Sequence, residues 1–380
     1  MARNEPQGEV ELQDELRERI ARRGPLSFAE VMHAALYHPR FGYYTRLRGF
    51  GSHGDFVTSP ELHPLFGFLL ARQAHDLWRH LGQPEPLRVL EIGGGSGALA
   101  QAFLDALSVP VSYVIDERSP SLRLRQQERL SGYPVTWTPS AERFELVLAN
   151  EVLDAQPVHR LTVRNGKLRE LRVGNNFGWV ETDPPPEAEA YFHRLGLLPP
   201  EGATAEVNLA LEDWVGQTAA RLADSALLLV LDYGYPAEDL FASPQGTLLT
   251  YYRHMLGSDP LVRLGEQDIS AHVDFTTLAS SAHRLGLNIL GVTSQRSLLR
   301  NLGIEPVLRE LRSPEDRRAA EQLIDPHGLG RIGALLVANN LAGYEPVGLR
   351  GGAWPEPQRV PLLETRDEFM DQWREAFVLE

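Results

Sequence analysis

Leu12, Leu16 and Ile20 fall four apart on one face of 11–22, and the spacing predicts an amphipathic helix. Ser27-Phe28-Ala29-Glu30 is a capping-box pattern that opens a second helix running to Leu36. Ser59-Pro60-Glu61 reads as a further helix start, carried through Leu65, Leu69, Gln73 and Leu77 to Trp78, with Pro64 placed to distort its first turn. Beyond about Pro86 the character changes. Apolar runs at 87–90, 111–115, 144–149, 226–231, 289–292 and 334–338 read as strands, and 144–149 is apolar on both faces, as a central parallel strand is. Helical runs at 99–107, 211–223, 275–285 and 297–324 lie between them. The alternation predicts an α/β fold: a doubly wound, mostly parallel, Rossmann-like sheet with its ligand crevice at the carboxyl ends of the strands.

One stretch breaks the rhythm. Residues 158–164 and 167–173 flank Asn165-Gly166, a strong hairpin signal, and 177–181 extends it by a third strand. Antiparallel pairing there makes 157–204 a β-rich insertion. The expected organisation is a helical cap with a glycine-rich loop (1–85), the first part of the core (86–156), the insertion (157–204), the second part of the core (205–344) and a loosely attached extension rich in Pro and Gly (345–380).

Composition narrows the function classes. At 380 residues and 43% hydrophobic content the chain can bury a large core, and no long apolar segment predicts a membrane span. The first 23 residues mix acids with arginines, unlike a secretory or transit segment. With zero cysteines, disulfides, thiol nucleophiles and thiolate metal sites are excluded. His63, His159, His254 and His272 lack ligand spacing, so no metal is expected. These features together predict a cytoplasmic protein. A net charge of −14 disfavours nucleic acid and suits basic protein segments as partners. Nothing in the sequence fixes an oligomeric state.

The densest chemistry lies in Leu90-Glu91-Ile92-Gly93-Gly94-Gly95-Ser96-Gly97-Ala98-Leu99-Ala100, read as strand, tight turn and helix start, where backbone can approach a ligand. The same residues contain a Gly-x-Gly-x-x-Ala frame that a dinucleotide enzyme can use. Two acids bear on the choice. Glu117, at the end of the second strand, is placed to chelate ribose hydroxyls of either ligand. Glu91 sits where a pyrophosphate would meet a like charge, but it favours the cationic sulfonium and amine of S-adenosylmethionine. Asn150-Glu151 follows the strand 144–149 at the crevice. Glu151 and Asp154, three apart, are expected on one helical face as a paired-carboxylate clamp for a cationic substrate such as a guanidinium. Gly54, Asp55, Phe56, Thr58, Ser59, Pro60 and Glu61 form a polar loop expected to cover the crevice, and Asp232 ends the fifth strand toward the same edge. Ser96 lacks the Gly-x-Ser-x-Gly frame of a nucleophilic serine.

Taken in order, Gly54 to Glu61 with Phe66-Gly67, the Glu91 to Gly97 turn, Glu117-Arg118-Ser119-Pro120 with Leu122 and Gln126, Asn150 to Val158, Glu206-Val207-Asn208, Asp232-Tyr233-Gly234 and Asp268 to Phe275 resemble the MidA-type methyltransferases. That family includes the mitochondrial arginine methyltransferase that assists assembly of respiratory complex I. The resemblance implies a class I methyltransferase fold with S-adenosylmethionine as cofactor, held by Glu91, Gly93, Gly95, Gly97, Glu117 and Asn150. It also implies that Asn150, Glu151 and Asp154 act on the substrate, that the 54–61 loop is functional, and that the acceptor is arginine on a partner protein, with a respiratory-complex subunit as one candidate. The chain departs from the family at Gly94, where proline is usual, at Val152-Leu153, where aromatics are, and at Gln156, where leucine is. Two other readings stand beside it: an S-adenosylmethionine-binding assembly protein with little turnover, and a nicotinamide-dependent oxidoreductase weakened by Glu91.

Overall fold

A computed structural model describes residues 7–46, 58–137, 142–253 and 255–349. Gly54, Asp55, Phe56 and His254 lie outside them. The chain forms two compact units, each assembled from separated segments. Among the described residues one holds 7–46, 153–211, 234–253 and 255–274; the other holds 58–137, 142–152, 212–233 and 275–349.

The second unit is built on a seven-stranded sheet: β1 (Leu87–Ile92), β2 (Val111–Asp116), β3 (Val135–Thr136), β4 (Phe144–Asn150), β5 (Leu222–Asp232), β6 (Asn288–Ser294) and β7 (Gly333–Asn339). The strand order is β6-β7-β5-β4-β1-β2-β3. The strands β3, β2, β1, β4 and β5 run parallel, while β7 is antiparallel to both of its neighbours. The order reverses at β1, which has β2 on one side and β4 on the other. A crevice opens at the carboxyl ends of strands at such a switch point. The register sets Ile92 against both Asp116 and Ala149, so the glycine turn, the second-strand acids and Asn150-Glu151 emerge side by side.

The doubly wound reading is borne out, with differences of detail. The two-residue β3 is too short to carry a period. The helical run expected over 297–324 is three helices, Gln295–Asn301, Ile304–Glu310 and Pro314–Gln322, because Gly303 adopts a left-handed φ of 90° and Pro314 starts a new turn. The helix expected from Ser59 to Trp78 is divided into Ser59–Leu62 and Leu65–His80 at His63-Pro64. Leu65–His80 packs on the helix Ala98–Ala106 that follows the glycine turn; a Cβ on Gly67 would lie 2.6 Å from the Ala102 Cβ. Residues 345–349, the described start of the extension expected to be loose, are tied down next to Tyr344. Gln73 donates to the Tyr344 hydroxyl (2.7 Å) and accepts from the Gly348 amide (2.9 Å).

In the first unit the Asn165-Gly166 hairpin forms between His159–Arg164 and Lys167–Val173. Trp179–Thr182 pairs with the second of these strands, and Thr204–Val207 pairs with the first. The helix Pro186–Leu195 supplies Ala188, Tyr191 and Phe192 to a core shared with Leu161, Val163 and Phe241. The Ser27 capping box is present at the start of Phe28–Tyr37. Among the described residues no helix is long and apolar enough to cross a membrane.

Candidate functional site

Gly93, Gly95 and Gly97 all take positive φ (72°, 51° and 86°), so the chain turns sharply out of β1 and enters the helix Ala98–Ala106 with Gly97 at its N-cap. Gly94 is needed for closeness. A Cβ there would meet Ile115 Cγ2 at 2.6 Å and Gln126 Nε2 at 3.1 Å. Gly94→Ala is therefore expected to destabilise the fold by about 1–3 kcal/mol and to weaken cofactor binding, read by chemical denaturation and calorimetry. An unchanged denaturation midpoint counts against this packing.

Two buried acids stand behind and beside the turn. Glu91, on β1, accepts a hydrogen bond from the Tyr113 hydroxyl at 2.9 Å. Burial pushes its carboxyl up to about 8; the Tyr113 bond opposes this and the charge of Glu117 adds to it. Glu117 accepts from the Ser119 amide (2.8 Å) and from Gln126 Nε2 (3.0 Å). Burial also raises its pKa, against those two bonds.

The described part of the expected covering loop reaches both neighbouring strand ends. Thr58 is the N-cap of Ser59–Leu62, and Pro60 stands in its first turn. The Ser59 amide donates to Glu151 Oε1 (3.1 Å), and the Ser59 hydroxyl donates to the buried Gln295 (3.0 Å). Glu61 accepts from the Ser96 hydroxyl within the glycine turn, while Arg129 donates to that hydroxyl (2.7 Å) and lies 3.7 Å from Glu61. The segment thus bridges the ends of β1 and β4.

Glu151 itself sits at φ 51°, a left-handed conformation that costs an L-residue energy and tends to cluster at functional sites. Its amide donates to Leu231 O (2.8 Å), and its carboxylate accepts from Asn150 Nδ2 (3.1 Å) as well as from Ser59. Desolvation raises the carboxyl to about 7, the two hydrogen bonds oppose it, and the charge of Asp232 adds to it. Asp232 is fully buried and accepts from the amides of Val152 (3.0 Å) and Tyr233 (2.9 Å), which fixes the chain on both sides of the crevice edge. Residues 151–158 contain no helix, which corrects the shared helical face expected for Glu151 and Asp154. The left-handed turn at Glu151 prevents a helical continuation of β4. Asp154 belongs to the first unit, where its carbonyl accepts from the Ala271 amide (2.9 Å).

The structure therefore brings together Glu91, the three turn glycines, Glu117, Asn150, Glu151 and Thr58 to Glu61. This donor set fits a cationic nucleoside. The Asn150 amide donates to Glu151, which leaves its buried Oδ1 with no hydrogen-bond partner and able to accept from a ligand N–H or O–H. The Glu61 carboxylate contacts Ser96 in the turn, which disfavours a pyrophosphate. Sequence reasoning assigned no role to Gln126, Trp137 or Gln295. For Gln126 a signal exists: Leu122 and Gln126, four apart, are the buried positions of an otherwise polar helix, Pro120–Arg129.

Comparison with known proteins agrees with this geometry. A family described as "Putative S-adenosyl-L-methionine-dependent methyltransferase" matches residues 69–293. A solved protein of Burkholderia thailandensis bound to S-adenosyl-homocysteine is 32% identical, with a TM-score of 0.83 over 92% of this chain and 96% of that one. The mitochondrial protein arginine methyltransferase NDUFAF7 homolog of Drosophila melanogaster is 30% identical over 85% of this chain and 83% of its own. The corresponding Danio rerio protein is 29% identical over 83% and 82%. The chain belongs to this family of S-adenosylmethionine-dependent methyltransferases. S-adenosylmethionine is its cofactor. The cytoplasmic placement expected from the sequence is overturned, since the fly and zebrafish relatives are both named mitochondrial.

Proposed function

We propose that this methyltransferase acts on arginine of a partner protein, with a subunit of a respiratory complex as the partner implied by the family resemblance. The observation that carries the reading is Glu151: a carboxyl at the carboxyl end of β4, strained in backbone, oriented by Ser59 and Asn150, and raised to about 7. The names of the fly and zebrafish relatives support the acceptor.

S-adenosylmethionine, when bound, supplies the methyl group. Glu91, Gly93, Gly95, Gly97, Glu117 and Asn150 would hold it, with Glu117 on the ribose hydroxyls and Glu91 beside positive charge. Glu151 grips the guanidinium, concentrates its charge on the gripped nitrogen and leaves another free to attack. A carboxyl near pKa 7 is also matched to take the proton that the methylated nitrogen must lose. Thr58 to Glu61 form the described part of the substrate-side loop.

The test is methyl incorporation from labelled S-adenosylmethionine into proteins of the native host, with the modified side chain located by mass spectrometry. Methylarginine on a respiratory subunit is the expected result. Label found only on lysine or on a small molecule would overturn the proposed acceptor.

A further inference from the structure

In the second unit, the Gln126 amide joins the glycine turn, Glu117 and Trp137. It is fully buried. Its Nε2 donates to Gly95 O at 2.8 Å and to Glu117 Oε2 at 3.0 Å, and its Oε1 accepts from Trp137 Nε1 at 2.8 Å. An indole N–H only donates, so the amide oxygen must face Trp137 and both amide hydrogens must face the glycine turn and the carboxylate. Trp137 thereby removes the ambiguity that an amide side chain ordinarily carries.

We infer that Gln126, oriented by Trp137, is the positioning residue that locks the Glu117 carboxylate and the crest of the glycine turn into one rigid unit for the ribose of the cofactor. The inference rests on the proposed ribose role of Glu117. With Ser119 N on Oε1 and Gln126 on Oε2, the carboxylate plane is fixed at both oxygens, and with the Arg118 backbone as a third donor one of its roughly four lone-pair sites stays open for a hydroxyl. The surroundings make the amide matter. Burial opposes a charge at Glu117 most, and Asp116 opposes it too. Arg123 donates to the Glu117 backbone carbonyl (2.9 Å), and the Arg118 backbone also donates to the Glu117 carboxylate. The uncharged Gln126 supplies a hydrogen bond that favours the ionised form without adding a cation that would repel a positively charged ligand.

The test is calorimetric S-adenosylhomocysteine binding by the full chain between pH 4.5 and 7, a range below the titration of Glu91. Affinity is expected to fall on acidification as Glu117 gains its proton. Gln126→Met removes the amide at similar volume and moves that fall up by about one pH unit, a roughly tenfold loss at a pH within the step. Trp137→Phe leaves Gln126 in place but frees the amide to turn, and gives a smaller shift of the same sign. Glu117→Gln abolishes the step. A folded Gln126→Met variant that keeps the parent's midpoint overturns the inference, even if its affinity is lower throughout. If that variant does not fold, an unshifted Trp137→Phe midpoint overturns it. A parent-like pH profile in Glu117→Gln overturns the ribose assignment of Glu117 and the inference with it. Loss of the step in Glu117→Gln, with no shift in the other two variants, overturns the inference alone.

Discussion

Glu151→Gln is expected to lower methyl transfer by about 10²- to 10³-fold while leaving S-adenosylhomocysteine binding in place. The carboxylate is the charged group that the site offers a guanidinium at the end of β4, and the amide of glutamine keeps the shape but neither grips a cation nor accepts a proton. The Ser59 amide still has an oxygen to bond, so the bridge from Ser59–Leu62 to β4 survives. The same substitution is expected to raise stability. The folded protein holds the Glu151 carboxyl up to about 7 against an ordinary 4.5, so it binds more protons than the unfolded chain between those values. Stability contributed by the neutral carboxyl is complete below about 4.5 and is lost as pH rises toward 7. Removing the ionisable group therefore stabilises the variant by up to about 3 kcal/mol at neutral pH and above, and hardly at all near pH 4.5. Single-turnover rates and denaturation at the two pH values check both halves. A variant that transfers methyl at the parent rate would remove Glu151 from the chemistry.

Glu91→Gln carries the second large effect, on the cofactor. A cation about 4 Å from a carboxylate at an effective dielectric of about 20 gains roughly 4 kcal/mol. At pH 7 about 1.4 kcal/mol of that is spent ionising a carboxyl raised to about 8. The difference, about 2–3 kcal/mol, predicts a loss of roughly 30- to 150-fold in S-adenosylmethionine affinity for the glutamine variant. It also predicts that the parent's affinity strengthens as pH rises toward 8, with proton release on binding, whereas the variant's affinity stays flat across that interval. Calorimetry in buffers of different ionisation enthalpy measures both. Without ligand the sign reverses. The buried acid loses stability as pH climbs from about 4.5 toward 8, so Glu91→Gln is the more stable protein at the alkaline end. Parent-like affinity in the variant would place the ligand's positive charge elsewhere.

Both predictions exploit a conflict between fold and function. Glu91 and Glu151 are acids in positions where burial disfavours their charge, and in the proposed mechanism each gains its charged form from a cationic ligand. Such conflicts gather at functional sites and are read more easily from structure than from sequence.

How much was legible depended on range. The strands β1, β2, β4 and β5 followed from apolar runs, and the Asn165-Gly166 hairpin followed from turn chemistry, because both signals are local. A distortion at Pro64 was legible for the same reason, since proline fixes its own φ, but the full division into two helices was not. The three-helix character of 295–322 and the anchoring of 345–349 were not, because they depend on a left-handed glycine and on Gln73, far away in sequence. At the site, Glu91, Glu117 and Glu151 were legible from their positions at strand ends. The helical pairing of Glu151 with Asp154 failed because a spacing of three implies one face only if the backbone is helical, and the φ at Glu151 is left-handed.

By itself the sequence determined the doubly wound sheet, the glycine turn and the acids that flank it, since hydrophobic period and glycine placement act over a few residues. Only the tertiary structure decided which polar groups face one another: Ser59 on Glu151, Glu61 on Ser96, and Gln126 between Gly95, Glu117 and Trp137. Ser59 and Glu151, Glu61 and Ser96, and Gln126 and Gly95 come from segments tens of residues apart. A hydrogen bond satisfied within about 3 Å depends on packing that no local pattern encodes.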